Sequence, residues 1–283
     1  MWSRSISAGR NRRRPAVWAA ALLACSAASA AAAQQAADMV RYPYVAALSR
    51  MSGSDRVYFC AGVLVAPRWI LTAAHCFHNP RGQRIGEGDL WAEVGGVWLA
   101  EVPDEAQVRF DRIFVHPDYD PVSQANDLAL VRLDQEAGPL IATMAHEAAP
   151  SDGRATVLGF GSFYEGRLAG RALSPTGAPV SQVSDRLRQS EVPLVDPAGC
   201  AAGLGAGGEA TGAYQLCTGR AGEAAAACLG DSGGPLIVGR DEGSDRLVGI
   251  VSSGSGCAAE APLVVYTRVS AYSRWIEGVI AGR

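Results

Sequence analysis

From Tyr42 to Arg283 the chain alternates short apolar runs with polar punctuation. The runs are 57–66 (VYFCAGVLVA), 69–74 (WILTAA), 91–100, 107–115 (QVRFDRIFV), 127–133, 155–161, 235–239, 246–254 and 263–269 (LVVYTRV). They are rich in Val, Leu, Ile and aromatic residues, which suit a pleated, half-buried surface. Gly, Pro, Asp and Asn break the chain between them. Many short strands with turn signals predict an all-β fold, a barrel or a sandwich. One stretch departs from this pattern. In 270–280 (SAYSRWIEGVI), Tyr272, Trp275, Ile276 and Val279 fall at helical spacing, which predicts a C-terminal helix with Ser270 as N-cap. Two long polar segments, 162–186 and the Gly/Ala-rich 198–213, read as loops, and no repeat of fixed period occurs.

Residues 1–33 follow a different pattern. Arg10, Arg12, Arg13 and Arg14 precede the uncharged run AVWAAALLACSAASAAAA (16–33), and small residues offer cleavage after Ala30 or Ala33. This order predicts a secretory signal peptide. A membrane anchor is the alternative for a run of this length. Leu22-Leu23-Ala24-Cys25 also resembles a bacterial lipoprotein cleavage box, with a lipid anchor at Cys25 as its consequence.

Composition narrows the function. The chain has 283 residues, 48% hydrophobic and 19% charged, with net charge -3, so the clustered basic footprint of a nucleic-acid binder is missing. Of seven cysteines, Cys25 lies in the leader. The rest form an even set, as in an exported disulfide protein, and no Cys-x-x-Cys pair marks a zinc or redox site.

Three short motifs carry candidate chemistry. Thr72-Ala73-Ala74-His75-Cys76 follows an apolar strand, Asp127-Leu128-Ala129-Leu130 opens another, and Gly230-Asp231-Ser232-Gly233-Gly234-Pro235 precedes a third. A serine hydroxyl needs a nearby base to take its proton during attack. Imidazole titrates near neutral pH and fits that task, and a carboxylate holds its tautomer and stabilises its cation. In this order, His then Asp then Ser, the sequence resembles the chymotrypsin/trypsin family of serine proteases over about residues 42–283. The resemblance is to an exported, bacterial-type member.

The resemblance implies two six-stranded antiparallel β-barrels, about 42–145 and 146–270, ahead of the C-terminal helix at about 270–280. Residues 34–283 would form the protease domain. His75, Asp127 and Ser232 would be catalytic, and the N–H groups of Gly230 and Ser232 would form the oxyanion hole. The implied disulfides are Cys60–Cys76, Cys200–Cys217 and Cys228–Cys257. Phe160-Gly161 resembles the aromatic-Gly pair of the second barrel. Ser252 resembles the serine that supports the catalytic Asp, followed here by Ser253 where an aromatic is usual.

The substrate pocket follows from the same alignment of motifs. Ala226 stands at its base and supplies no counter-charge for an Arg or Lys side chain, whose unpaired burial is costly. Gly254 leaves the entrance open, and branched Val264 shortens the pocket. The expectation is an elastase-like preference for Ala, Val or Leu before the cut.

One departure stands against the family pattern. No Ile-Val-Gly-Gly start precedes Pro43-Tyr44, and Ala31-Ala32-Ala33-Gln34 occupies that distance. The buried Asp231 therefore has no obvious partner. Leader cleavage supplies its amine, another group pairs with it, or the domain is a latent protease-like binding protein of the cell envelope. No cofactor is expected, and no metal, although Glu87, Asp89, Glu101 and Glu105 sit where some relatives bind calcium. The expected partners are protein or peptide substrates of a monomer. His78, His116 and His146 read as surface or loop residues.

Overall fold

A computed structural model describes residues 35–36, 41–53, 55–78, 82–84, 89–95, 106–138, 140–149, 153–161, 184, 186–196, 198–200, 213–219, 231–239, 244–254 and 263–283. All lie within one compact unit, Ala31–Arg283. The expected loops 162–186 and 198–213 fall largely outside these residues.

The first barrel holds β2 (Val45–Ser52), β3 (Asp55–Ala66), β4 (Trp69–Thr72), β5 (Leu90–Val94), β6 (Gln107–Val115) and β7 (Ala129–Leu133). They close in the order β2-β3-β4-β7-β6-β5, every pair antiparallel. The second holds β8 (Arg154–Gly159), β9 (Arg188–Val195), β10 (Gln215–Thr218), β11 (Pro235–Val238), β12 (Arg246–Gly254) and β13 (Val264–Arg268). Its order β9-β10-β13-β12-β11-β8 closes through β8 and β9. A two-residue strand, β1 (Gln35–Ala36), lies on β9 beside Gln189 and Arg188. Closure removes the free edges that an open sheet would expose to other chains.

Strands that line a barrel and also face its neighbour are buried on both sides. The run Val45–Leu48 is buried throughout, as are Ile70, Leu71 and Leu128–Val131. Such strands read as continuous apolar runs. The second core gathers Val157, Val192, Leu194, Leu236, Val248, Val251 and Tyr266. Strands β2, β9 and β10 were not among the expected runs. Arg188–Val195 carries Arg, Gln, Glu and Pro, and its pattern of burial emerges only when β8 pairs with it.

The expected C-terminal helix is present but starts differently. A 3-10 turn, Val269–Tyr272, leads into α1 (Ser273–Ile280). Ser270 is inside that turn, so it is not the N-cap; Tyr272 holds that position without a side-chain cap. Tyr272 and Ile276 are buried and anchor the helix. Among the described residues, no helix is long and apolar enough to cross a membrane.

Candidate active site

Strand pairing brings the candidate base and carboxylate together. Thr72, at the end of β4, pairs with Ala129, at the start of β7. Beyond Thr72 the chain enters a 3-10 turn, Ala74–Phe77, that carries His75. Before Ala129 lies Asp127, so antiparallel register places both at one end of the barrel. His75 Nδ1 is 2.7 Å from Asp127 Oδ2, and the His75 backbone N–H donates to Asp127 Oδ1 at 2.9 Å. Two contacts to one carboxylate fix the ring's position as well as its tautomer.

The Asp127 carboxylate has no solvent-exposed surface. Burying a charge is tolerable only where donors surround it. The second barrel provides them: Ser252 Oγ donates to Asp127 Oδ2 at 2.5 Å, and Thr267 Oγ1 donates to the Asp127 carbonyl at 2.8 Å. Asn126 takes a left-handed backbone (φ 53°), a conformation asparagine tolerates. The Tyr272 hydroxyl donates to Asn126 Oδ1 at 2.8 Å, and Asn126 Nδ2 donates to the Asp118 carbonyl at 2.8 Å.

Ser232 stands on a turn just before β11. Gly233 N–H donates to the Val251 carbonyl and Val251 N–H to the Gly234 carbonyl, each at 2.9 Å, next to Ser252. The first barrel holds the other side. Ala61 N–H donates to the Ser232 carbonyl at 2.8 Å, and buried Thr72 Oγ1 donates to the Ala61 carbonyl at 2.8 Å. Gly233 has φ +78°, and a Cβ there would collide with Thr72 Oγ1 and the Ala61 carbonyl. Only glycine meets both demands, a left-handed backbone and a close approach. His75 and Ser232 line one open cavity of about 200 Å³.

Asp231, whose partner the sequence left open, is buried, and Gly161 N–H donates to its Oδ1 at 2.7 Å. A Cβ on Gly159 or Gly161 would strike this carboxylate, which explains the glycine after Phe160. The Phe160 ring in turn packs on Tyr58 at 5.6 Å. Burial, and then the charges of Asp231 and Glu93, hold the Tyr58 phenol well above its ordinary range.

The remaining expected residues divide by position. Gly254 and Val264 are direct partners across β12 and β13, Val264 is buried, and a Cβ on Gly254 would lie 2.9 Å from the Leu263 carbonyl. Disulfides join Cys60 to Cys76 and Cys200 to Cys217. Ala226, Gly230, Cys228 and Cys257 lie outside the described residues, as do Glu87, Glu101 and Glu105. Asp89 pairs with Arg109 at 3.2 Å. Cys60, His75 and Cys76 bring three ligand-type atoms close together, but the two sulfurs are bonded to each other. His116 is packed rather than free: its ring lies 5.2 Å from Tyr272 and 5.0 Å from Trp275. Burial pushes its pKa down.

The supporting residues Thr72, Ala61 and Thr267 were not assigned roles from sequence. The available signal was a threonine inside an otherwise apolar strand, as in WILT and VVYTR.

Comparison with known proteins agrees with this geometry. The family model described as Trypsin matches residues 32–276. The chain belongs to the trypsin family. It is 34% identical to coagulation factor XII of Sus scrofa over 253 residues, 83% of this chain and 37% of that protein. It is 33% identical to serine protease 56 of Mus musculus over 229 residues, covering 77% of this chain and 34% of that protein. It is 30% identical to trypsin of Squalus acanthias over 236 residues, covering 79% and 86%. The trypsin-family chain thus spans little more than a third of the first two relatives and most of the third. All three are animal proteins, so they lend no support to a bacterial-type member.

Proposed function

We propose that the protein is an exported serine endopeptidase. The observation that carries this reading is the 2.7 Å contact between His75 Nδ1 and a buried Asp127, with Ser232 on the wall of the same cavity as His75. In the first half-reaction Ser232 Oγ bonds to the substrate carbonyl carbon while His75 takes the hydroxyl proton. The carbon–nitrogen bond breaks, and His75 passes that proton to the departing amine. Water then repeats the sequence on the acyl-enzyme and regenerates Ser232. The N–H groups of Ser232 and Gly230 would face the oxyanion, each such donor contributing about 3 kcal/mol of transition-state stabilisation.

The residue before the cut is of small or medium aliphatic type in this reading. Its support is the buried, branched Val264 against Gly254, together with the uncharged Ala226 in sequence. Residues 1–33 act as a leader removed on export, a reading helped by the start of the compact unit at Ala31. A fluorophosphonate probe tests the activity. Ser232 should be labelled in the native exported protein, and Ser232→Ala or prior heating should abolish labelling. A native protein that resists labelling is instead the latent binding protein. A peptide-library profile dominated by Arg, Lys or Glu before the cut refutes the aliphatic preference. The mass of the mature N-terminus locates leader cleavage and reports any lipid on Cys25.

A further inference from the structure

The cavity of about 200 Å³ beside His75 and Ser232 has a wall composition that the catalytic reading does not use. Apart from Ser232, every residue lining it belongs to the first barrel. Ser252, Gly254 and Val264, assigned above to the side chain before the cut, belong to β12 and β13 of the second barrel. A substrate strand bound across Ser232 therefore places its two halves on different barrels. The amine half departs on the side where His75 must hand over its proton. Lined by His75 and other first-barrel residues, the cavity is placed to receive a side chain that follows the cleaved bond.

Its chemistry is two-part. Phe59, Phe77, Leu90 and the Cys60–Cys76 disulfide make an apolar wall, with Phe77 and Leu90 buried. Arg50, an exposed residue of β2, contributes the single formal charge of the lining besides the titratable His75. The described carboxylates at and beside β5, the strand that pairs with β2, are already matched. Asp89, next to Leu90, pairs with Arg109 at 3.2 Å. Glu93 is buried against Arg56 at 2.8 Å and Ser49 Oγ at 3.0 Å. Among the described residues Arg50 takes part in no ion pair. Among the described residues, the cavity lining therefore carries one guanidinium outside any ion pair, beside an apolar wall.

We infer that this cavity is a leaving-side subsite for an acidic residue, with Arg50 as its specificity determinant. The methylene stem of a Glu or Asp lies on the Phe59 and Leu90 wall, and its carboxylate meets the guanidinium, whose planar fork matches carboxylate geometry. Because Arg50 is exposed, the selectivity for Glu over the neutral Gln is modest, about two- to fivefold, and wider against Lys, which Arg50 repels. The inference rests on the endopeptidase reading above.

Quenched fluorescent peptides test it, identical before the cut and carrying Glu, Gln or Lys immediately after it. Each rate is divided by the same protein's rate on a p-nitroanilide with the same preceding residues, which has no residue after the bond, so that general damage cancels. The wild type should prefer Glu over Lys by about three- to tenfold, and higher salt should compress the ratio. Arg50→Gln should flatten the order, and Arg50→Glu should reverse it. A flat wild-type order, or one that Arg50→Glu leaves in place, overturns the subsite while anilide turnover preserves the endopeptidase reading. No anilide turnover and no labelling of Ser232 overturn both.

Discussion

The two barrels share a plan, six antiparallel strands in a closed ring, yet they hold their candidate catalytic groups in opposite ways. The first barrel contributes a base and a carboxylate already bonded to each other through side chains. The second contributes a nucleophile on a turn held mainly by backbone bonds and glycine contacts. Neither arrangement is complete within its own barrel. Asp127 is clamped by Ser252 and Thr267 of the second, and the Ser232 turn is clamped by Ala61 and packed on Thr72 of the first. Each barrel thus positions the other's reactive group. The geometry of the candidate site depends on barrel docking as much as on either barrel's fold.

The largest expected effect comes from breaking the first barrel's internal pair. Asp127→Asn should lower kcat by about 10⁴-fold with the fold intact, because the amide favours the wrong imidazole tautomer. Stopped-time assays beside circular dichroism check this. Retained activity would show that the pair is structural only.

The docking contact itself is broken by Gly233→Ala. A left-handed backbone and a blocked Cβ should destabilise the protein by more than about 1 kcal/mol and depress activity further than unfolding explains. Urea denaturation and active-site titration separate the two losses.

A subtler pair asks whether the clamps are equivalent. Thr72→Val leaves the Ala61 carbonyl without its hydroxyl donor, and Ser252→Ala removes a donor from buried Asp127. Each should reduce kcat by about tenfold, since an unmade buried hydrogen bond costs about 1–3 kcal/mol. Thr72→Ser should restore most of the first loss. Double mutants distinguish them: Ser252→Ala should add little to Asp127→Asn, which already removes the carboxylate it serves, whereas Thr72→Val should add its full loss. Full additivity of both would collapse the distinction between the barrels.

The smallest effect concerns the anchoring of α1. His116 is packed against Tyr272 and Trp275, and burial holds its folded-state pKa below the unfolded value, while Asp118 opposes this. Its contribution is therefore present above the unfolded pKa of about 6.5 and is lost as pH falls below it. His116→Gln should make the denaturation midpoint less sensitive to acidification between pH 7.5 and 5.5. An unchanged slope would show that the ring is solvated.

The all-β class and the candidate residues of the site were legible in sequence because both rest on local information. Runs of β-branched and aromatic residues mark strands wherever they end up, and short motifs around His75, Asp127 and Ser232 keep their order along the chain. The strands missed were those whose character is set by neighbours. Arg188–Val195 becomes a strand because β8 and β10 flank it, not because its residues alternate. Ser270 offered a good N-cap, but the 3-10 turn at Val269–Tyr272 postponed the α-helix by a turn.

The sequence by itself determined the residue types available for chemistry, the order in which they occur and the glycines the turns require. Tertiary structure decided their support. It brought Gly161 N–H to the Asp231 carboxylate, Thr267 to the Asp127 carbonyl, and Thr72 beneath the Ser232 turn through Ala61. These contacts join residues 70, 140 and 11 positions apart. The first two need strands far apart in sequence to close a barrel, and the Thr267 contact also needs the two barrels to dock, since it joins β13 to a residue just before β7.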